Sequence, residues 1–379
     1  MRTKKDKKQK RVKPELPGGF RDYGPADAIA RGRMLEMVRK TFEDFGFDPL
    51  ETPAVERTEV LTGGERESGK IIFNVRGSRE SFGKVEDKKS DSSLRFDLTV
   101  PLARFIAANP DTPKPFKRYQ IGSVWRGESP QAGRYREFMQ ADVDIVGAAS
   151  IEADAEIVAV FYNALKNLGV SDFRIKMNSR KILNGLSAYS KLKDETLFDA
   201  LRIIDKQDKI GAAGVKKELE KEFGKKVSEK ISEFIKNPQV ALNTRTVNEG
   251  LSDLETIFST ARGLGVEESK MEIDYSIVRG LGYYTGFVFE IVFSAFPGMG
   301  SIVAGGRYDN LVLQFTGKKF PAVGASLGVD RLYAALEKLG VLKKKRTTVR
   351  ALLMNLSPKL KDEYAELLRD LRAANVNTS

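Results

Sequence analysis

Between residues 115 and 147 the order of apolar and polar positions suits a pleated surface better than a helix. Tyr119, Ile121, Val124 and Trp125 favour a strand, residues 127–133 are rich in turn formers, and residues 135–146 resume the strand pattern. With a period of two, Gln120, Gly122, Val124 and Arg126 point one way on the outgoing strand. On the return, Arg136, Phe138, Gln140, Asp142 and Asp144 share one face, each about 6.6 Å from the next. A face carrying an aromatic ring, an amide and two carboxylates is not a packed core. Taken singly, a strand arginine or an Asp pair reads as a solvated face.

The flanking pattern alternates helices and strands. Apolar residues at helical spacing (Ala30, Met34, Met37, Val38, Phe42, Phe45) predict a helix over 26–45, with both methionines as core fillers and Gly46 as the stop. Residues 47–56 read as a strand ending at Pro53, 71–76 as a strand, and 77–92 as a polar hairpin or loop. Over 94–109 a strand ends near Phe96 and a helix follows, with Pro101 near its first turn. Asp97 and Thr99 there fit helix capping, since either side chain accepts from free backbone N–H groups. An amphipathic helix is expected over 151–169 and a strand over 173–178. Residues 180–265 read as helical and highly charged. Strands return around glycine-rich turns at 273–291 and 301–311, and 322–332 reads as a strand running into a helix. A basic linker at 343–346 leads to an apolar strand (ALLMNL) and a helix to about Leu371.

Composition narrows the chemistry. The 379 residues carry a net charge of +12, and residues 1–13 alone hold eight basic and one acidic residue. That tail reads as a disordered basic arm, and the overall balance suggests a polyanionic partner such as nucleic acid. No apolar leader follows it and no stretch approaches a membrane span, so a soluble, cytoplasmic protein is expected. There are no cysteines and no histidines. This excludes disulfides, thiol chemistry, imidazole acid–base catalysis and His-ligated zinc. Any metal must be held by oxygen, most plausibly magnesium carried on phosphates.

Arg126-x-Glu128 opens the loop between the two strands and Gly-Arg-Tyr-Arg-Glu-Phe closes it at 133–138. This pattern resembles motif 2 of the class II aminoacyl-tRNA synthetases, and in detail that of the histidyl-tRNA synthetase family. Residues 47–56 are similar to motif 1 and 322–332 to motif 3. Residues 94–109 resemble the loop that grips the substrate amino group in this family. Arg279-Gly-Leu-Gly-Tyr283-Tyr284 is similar to its histidine-binding segment, with Gly282 where the common form has Asp. The resemblance implies an α+β fold: a class II antiparallel sheet flanked by helices, a helical insertion, and the start of a C-terminal α/β anticodon-binding domain that stops early. The expected organisation is a tail (1–13), a first part of the catalytic core (14–179), the insertion (180–268), the second core part (269–340) and the linker with the truncated domain (341–379).

The same resemblance implies a histidine–tRNA ligase using ATP and Mg2+, with L-histidine and tRNA(His) as substrates and a homodimer built through motif 1. It places Arg126 and Arg279 at the α-phosphate as catalytic residues that also border the histidine site, and Arg134 and Arg331 at the γ-phosphate. Glu128 lies near the adenine amine and Phe138 stacks on the ring. Asp97, Thr99 and Gln140 hold the substrate ammonium, Asp144 and Tyr284 the imidazole, and Tyr283 lines the same pocket. The rival reading is a non-catalytic paralogue that regulates ATP phosphoribosyltransferase; a third is an RNA-binding or sensor pseudo-synthetase. The missing histidines fit either compositional drift or an enzyme that can be translated when histidine is scarce.

Overall fold

The computed structural model describes residues 12–63, 72–76, 91–128, 135–241, 244–280 and 284–379. Helix α1 (Pro25–Asp44) opens with proline in its first turn, where a missing N–H breaks no bond. Ala30, Met34, Val38 and Phe42 form its buried stripe, and Gly46, at φ +74°, turns the chain away. Met37 is not the core filler expected: it lies just outside the arc from Ala30 to Phe42 and is 43% exposed.

The stretch 47–56 does not form one strand. Pro49 and Pro53 remove two ladder donors, and the chain makes only β1 (Asp48–Pro49) and β2 (Val55–Arg57), in different sheets. After the short α2 (Thr58–Thr62) comes β3 (Asn74–Val75), briefer than the strand expected at 71–76. With β4 (Ser92–Leu94) it completes a small sheet of order β2-β4-β3. Most of the loop expected at 77–92 lies outside the described residues, as do residues 1–11 of the basic tail. Helix α3 (Thr99–Ala108) carries Pro101 in its first turn, as expected.

The expected strand pair is β5 (Phe116–Trp125) and β6 (Glu137–Val146), antiparallel, with Arg118 opposite Asp144 and Gln120 opposite Asp142. Helix α4 (Glu152–Asn167) is buried on most of its surface, packed between the sheet, α1 and α9, so it is not the amphipathic helix expected. Strand β7 (Phe173–Ser179) leads into five helices: α5 (Arg180–Ser190), α6 (Asp194–Ile204), α7 (Gln207–Phe223), broken at Gly211, α8 (Lys225–Lys236) and α9 (Arg245–Gly263). Their inner faces share the main hydrophobic core through residues such as Ile182, Leu201, Phe234 and Leu254.

The chain then returns to the sheet through β8 (Met271–Ile273), β9 (Phe287–Phe293) and β10 (Val303–Arg307). A four-residue α10 (Leu313–Thr316), β11 (Ala322–Gly328) and α11 (Val329–Lys338) follow. The large sheet has the order β1-β5-β6-β11-β10-β9-β7-β8. It is antiparallel except where β1 meets β5 and β7 meets β8. This is the α+β architecture expected, with β6 beside β11 and β11 beside β10 in its interior.

Beyond the sheet lies helix α12 (Lys361–Ala373). The ALLMNL segment makes a single bridge, Ala351 to Thr378, and no ladder. Leu352, Met354 and Leu356 are 62–80% exposed; no sheet face covers them, and a strand needs neighbours to persist.

Candidate active site

A cavity of about 520 Å3 opens where β6, β10 and β11 present one face. Period two on β6 sends Phe138, Gln140, Asp142 and Asp144 into it, as the sequence implied. That face is not solvated: Gln140 is 8% exposed and the two aspartates 2% each. They form the floor.

Asp144 is held from two sides. Arg118, fully buried on the neighbouring strand, lies 2.7 Å from Oδ2, and the Tyr308 hydroxyl donates to Oδ1. Burial pushes the Asp144 carboxyl up, opposed by Arg118 and Tyr308. Gly324 on β11 passes directly beneath it, and a Cβ there would collide with Oδ1. Asp142 is pushed up to about 7, first by burial and then by Asp144, with Arg118 acting against both. The strand reading began its outgoing face at Gln120; one more step of two residues reaches Arg118, and the hairpin register would have paired it with Asp144.

Asp97 and Thr99 line the same cavity from the loop before α3 and its first residue. The capping expectation holds for Asp97, whose Oδ1 accepts from the Val100 N–H at 3.1 Å. Burial raises it to about 6. One aspartate therefore both ends the helix and faces the cavity. Tyr284 lines the cavity as well, its hydroxyl pushed up by burial and by the nearby Asp144 and Asp142. Its ring sits where a Cβ on Gly280 would be, and Gly280 has φ +62°. Glycine is required there on both counts.

Guanidiniums line the same cavity. Arg126 donates from Nε to the Phe96 carbonyl at 3.1 Å and lies 5.0 Å from the Phe138 ring centroid. Arg279 is fixed by Glu290 at 2.6 Å, and Arg331 by the Ser301 carbonyl at 2.7 Å. All three line the cavity, as do Glu128 and Phe138. Arg134, Tyr283 and Gly282 lie outside the described residues.

Two groups went unread in the sequence. Asp330, beside Arg331, accepts from the Met139 N–H at 2.7 Å and from the Tyr23 hydroxyl, with Arg21 and Arg31 within 3.5 Å. It ties the Gly/Pro-rich segment before α1 to β6 and α11. Arg307 on β10 is buried against Asp154 of α4, and its backbone carbonyl accepts from the Thr285 N–H at 2.8 Å. That contact anchors the loop bearing Tyr284. Neither could be read without knowing which distant elements meet.

The cavity thus brings buried carboxylates and hydrogen-bonding groups together with arginines and an aromatic ring. It suits a ligand with N–H donors joined to an anionic group, beside a planar ring and phosphates.

A sequence model of the histidyl-tRNA synthetase family matches residues 19–332. The histidine–tRNA ligase of Wolinella succinogenes is 43% identical over 363 residues, covering 91% of this chain and 80% of that protein. That of Aeropyrum pernix is 42% identical over 387 residues, covering 96% and 84%. The crystal structure of histidyl-tRNA synthetase from Nostoc sp. superposes with a TM-score of 0.84 at 34% identity, over 97% of this chain and 86% of that one. A Bacillus halodurans protein described as an ATP phosphoribosyltransferase regulatory subunit/histidyl-tRNA synthetase shares the fold at 21% identity and a TM-score of 0.79, over 97% and 93%. The chain belongs to the histidyl-tRNA synthetase family.

Proposed function

We propose that the chain is a histidine–tRNA ligase that joins L-histidine to ATP as histidyl-adenylate and passes the histidyl group to the 3′ end of tRNA(His). The single observation that carries this reading is the mixed lining of one cavity. Its buried carboxylates suit an ammonium and an N–H-bearing ring; its Arg126, Arg279 and Arg331 suit a carboxylate and a triphosphate.

In the first step a histidine carboxylate oxygen bonds to the α-phosphorus and the bond to the pyrophosphate oxygen breaks. No side chain need take a proton, which suits a chain with neither histidine nor cysteine. Charge grows on the α-phosphate oxygens as the pentavalent state forms, and fixed guanidiniums stabilise it without reorganising. Arg126 and Arg279, each pinned through Nε, have that role. Arg331 takes the γ-phosphate, with Arg134 as its partner in the assignment. Phe138 stacks on adenine and Glu128 accepts from its amine. Asp97, Thr99 and Gln140 receive the histidine ammonium; Asp144, Tyr283 and Tyr284 surround the imidazole. Magnesium would neutralise phosphate charge and arrive on the ATP.

The lysine-rich helices α7 and α8 supply a surface for the tRNA acceptor arm. A two-fold dimer forms through residues 47–56, where β1 lies at the open edge of the large sheet. ATP–pyrophosphate exchange tests the activity: it should require L-histidine and respond to none of the other amino acids. Absence of histidine-dependent exchange would overturn the reading and favour a regulator.

A further inference from the structure

Asp142 has no place in the assignment above, yet it is as buried as Asp144 and lines the same floor. One fully buried cation lies beside them, and its ion pair is with Asp144. Arg118 makes its 2.7 Å contact with Asp144 and donates from Nη2 to the Leu98 carbonyl at 3.1 Å. Asp142 forms no ion pair among the described residues. The Ser326 hydroxyl, directly across from it on β11, is its hydrogen-bond donor. Its other oxygen, Oδ1, is buried with no hydrogen-bond partner. Gln140 is in the same condition. Its Nε2 is committed to Ser326, while its Oε1 is buried and unpartnered. Two orphaned acceptors on one strand face, both in the cavity lining, are costly to maintain unless a ligand brings donors.

A primary ammonium carries three N–H donors and one positive charge. We propose that Asp142 Oδ1 is an ammonium acceptor in the amino-acid site, alongside Asp97 and Gln140 Oε1, and supplies a specificity-determining charge there. The proposal rests on the histidine-activating reading and adds a residue to it. Asp144 already has its cation, so it is left to accept from a neutral ring N–H. Asp142 lacks one, so it holds the positive end of the substrate. The charged and titratable groups around it are Arg118, Arg95, Asp144, Asp97 and Tyr284. Burial raises Asp142 to about 7, so near neutrality the empty site holds a share of a proton there. The incoming ammonium displaces it to solvent.

The test is calorimetry on the full chain and on Asp142→Asn, which keeps shape and one acceptor but not the charge. Three ligands are compared: L-histidine, histidinol, which keeps amine and ring, and 3-(imidazol-4-yl)propanoate, which lacks the amine. Asp142→Asn should weaken histidine and histidinol binding by about 10–100-fold and leave the amine-free acid within about twofold. Histidine binding measured near pH 6.5 in buffers of different ionisation enthalpy should release more protons from the wild type than from the variant. Equal losses for all three ligands, or wild-type affinity for histidine in the variant, would overturn the proposal while histidine-dependent exchange still stood. A wild-type chain that binds no histidine would overturn the activity reading as well. ATP affinity checks the fold of the variant; if it falls, Asp142→Ser carries the same comparison.

Discussion

Two buried Arg–Asp pairs lie against the same sheet, and they differ in how completely their hydrogen bonds are met. Arg307 donates from Nε to both Asp154 oxygens at 3.1 Å, from Nη1 to the Ala148 carbonyl at 3.0 Å, and from Nη2 to the Ser150 carbonyl at 2.8 Å and to Asp154 at 2.6 Å. Arg118 donates to one carbonyl besides its contact with Asp144, and its Nε and Nη1 are buried without hydrogen-bond partners. The first pair is a finished clamp between α4 and β10. The second has unused capacity, and it lies in the floor of a cavity. A buried charge with every hydrogen bond made is structural; one left short beside a cavity waits for a ligand.

The largest effects should come from breaking either pair singly. Arg307→Ala and Arg118→Ala each leave a buried aspartate uncompensated, and each should cost about 3–5 kcal/mol in urea unfolding. Replacing both members with apolar residues separates the two. Arg307→Met with Asp154→Leu should recover most of the stability and keep histidine-dependent exchange. Arg118→Met with Asp144→Leu should recover stability and lose histidine binding. Retained histidine affinity in that second double variant would erase the distinction.

Arg279 is an intermediate case. Its Nε is committed to Glu290, it is partly exposed, and it lines the cavity. Arg279→Lys keeps the charge and loses the planar fork, so adenylate formation should fall on the order of 10²-fold. Histidine affinity should fall less than turnover. Near-normal pyrophosphate exchange would make Arg279 a structural partner of Glu290, akin to Arg307.

Next in size is Asp144→Asn. It removes the charge that faces Arg118 and leaves an amide beside the ring site, so histidine binding should weaken by about 1–3 kcal/mol. ATP binding should change little, because Arg126, Arg279 and Arg331 are untouched. Calorimetry showing equal losses for both ligands would point to a disturbed sheet.

Sequence reading reached the parts of this molecule that depend on local rules. The period of two put Gln140, Asp142 and Asp144 on one face. Asp97 before Thr99 signalled a cap, and Gly46 ended α1. Those features need only neighbours a few residues away. Where the reading failed, the deciding contact was distant. Met37 is exposed because α1 packs its arc from Ala30 to Phe42 against α4, and α4 is buried because α9, some hundred residues on, covers its outer side. Asp154 looked like an ordinary acidic residue in a helix's first turn, and only the fold brings Arg307 to it across 153 positions. The roles given to individual cavity residues came from resemblance; local spacing could say which shared a face and no more.

The smallest expected effect concerns Asp142 in the empty protein. Its carboxyl rises from the ordinary 3.8 to about 7, chiefly through burial. Between those values the folded chain holds a proton that the unfolded chain has lost, so stability falls as pH rises through that window and levels off above it. The stabilising contribution of the protonated form is fully present below about pH 3.8 and gone above about pH 7. Asp142→Asn cannot ionise and escapes this loss. Asp97 and Asp154, each raised to about 6, slope the same way in both proteins and drop out of the difference. The variant should therefore match the wild type near pH 4 and exceed it by on the order of 1–3 kcal/mol near pH 8, read from paired urea melts without ligand. Saturating histidine should narrow the gap at the higher pH, because an ammonium would then neutralise the wild-type carboxylate. A variant no more stable than wild type near pH 8 would mean that Arg118 serves both aspartates at once, and the two buried pairs would then be alike after all.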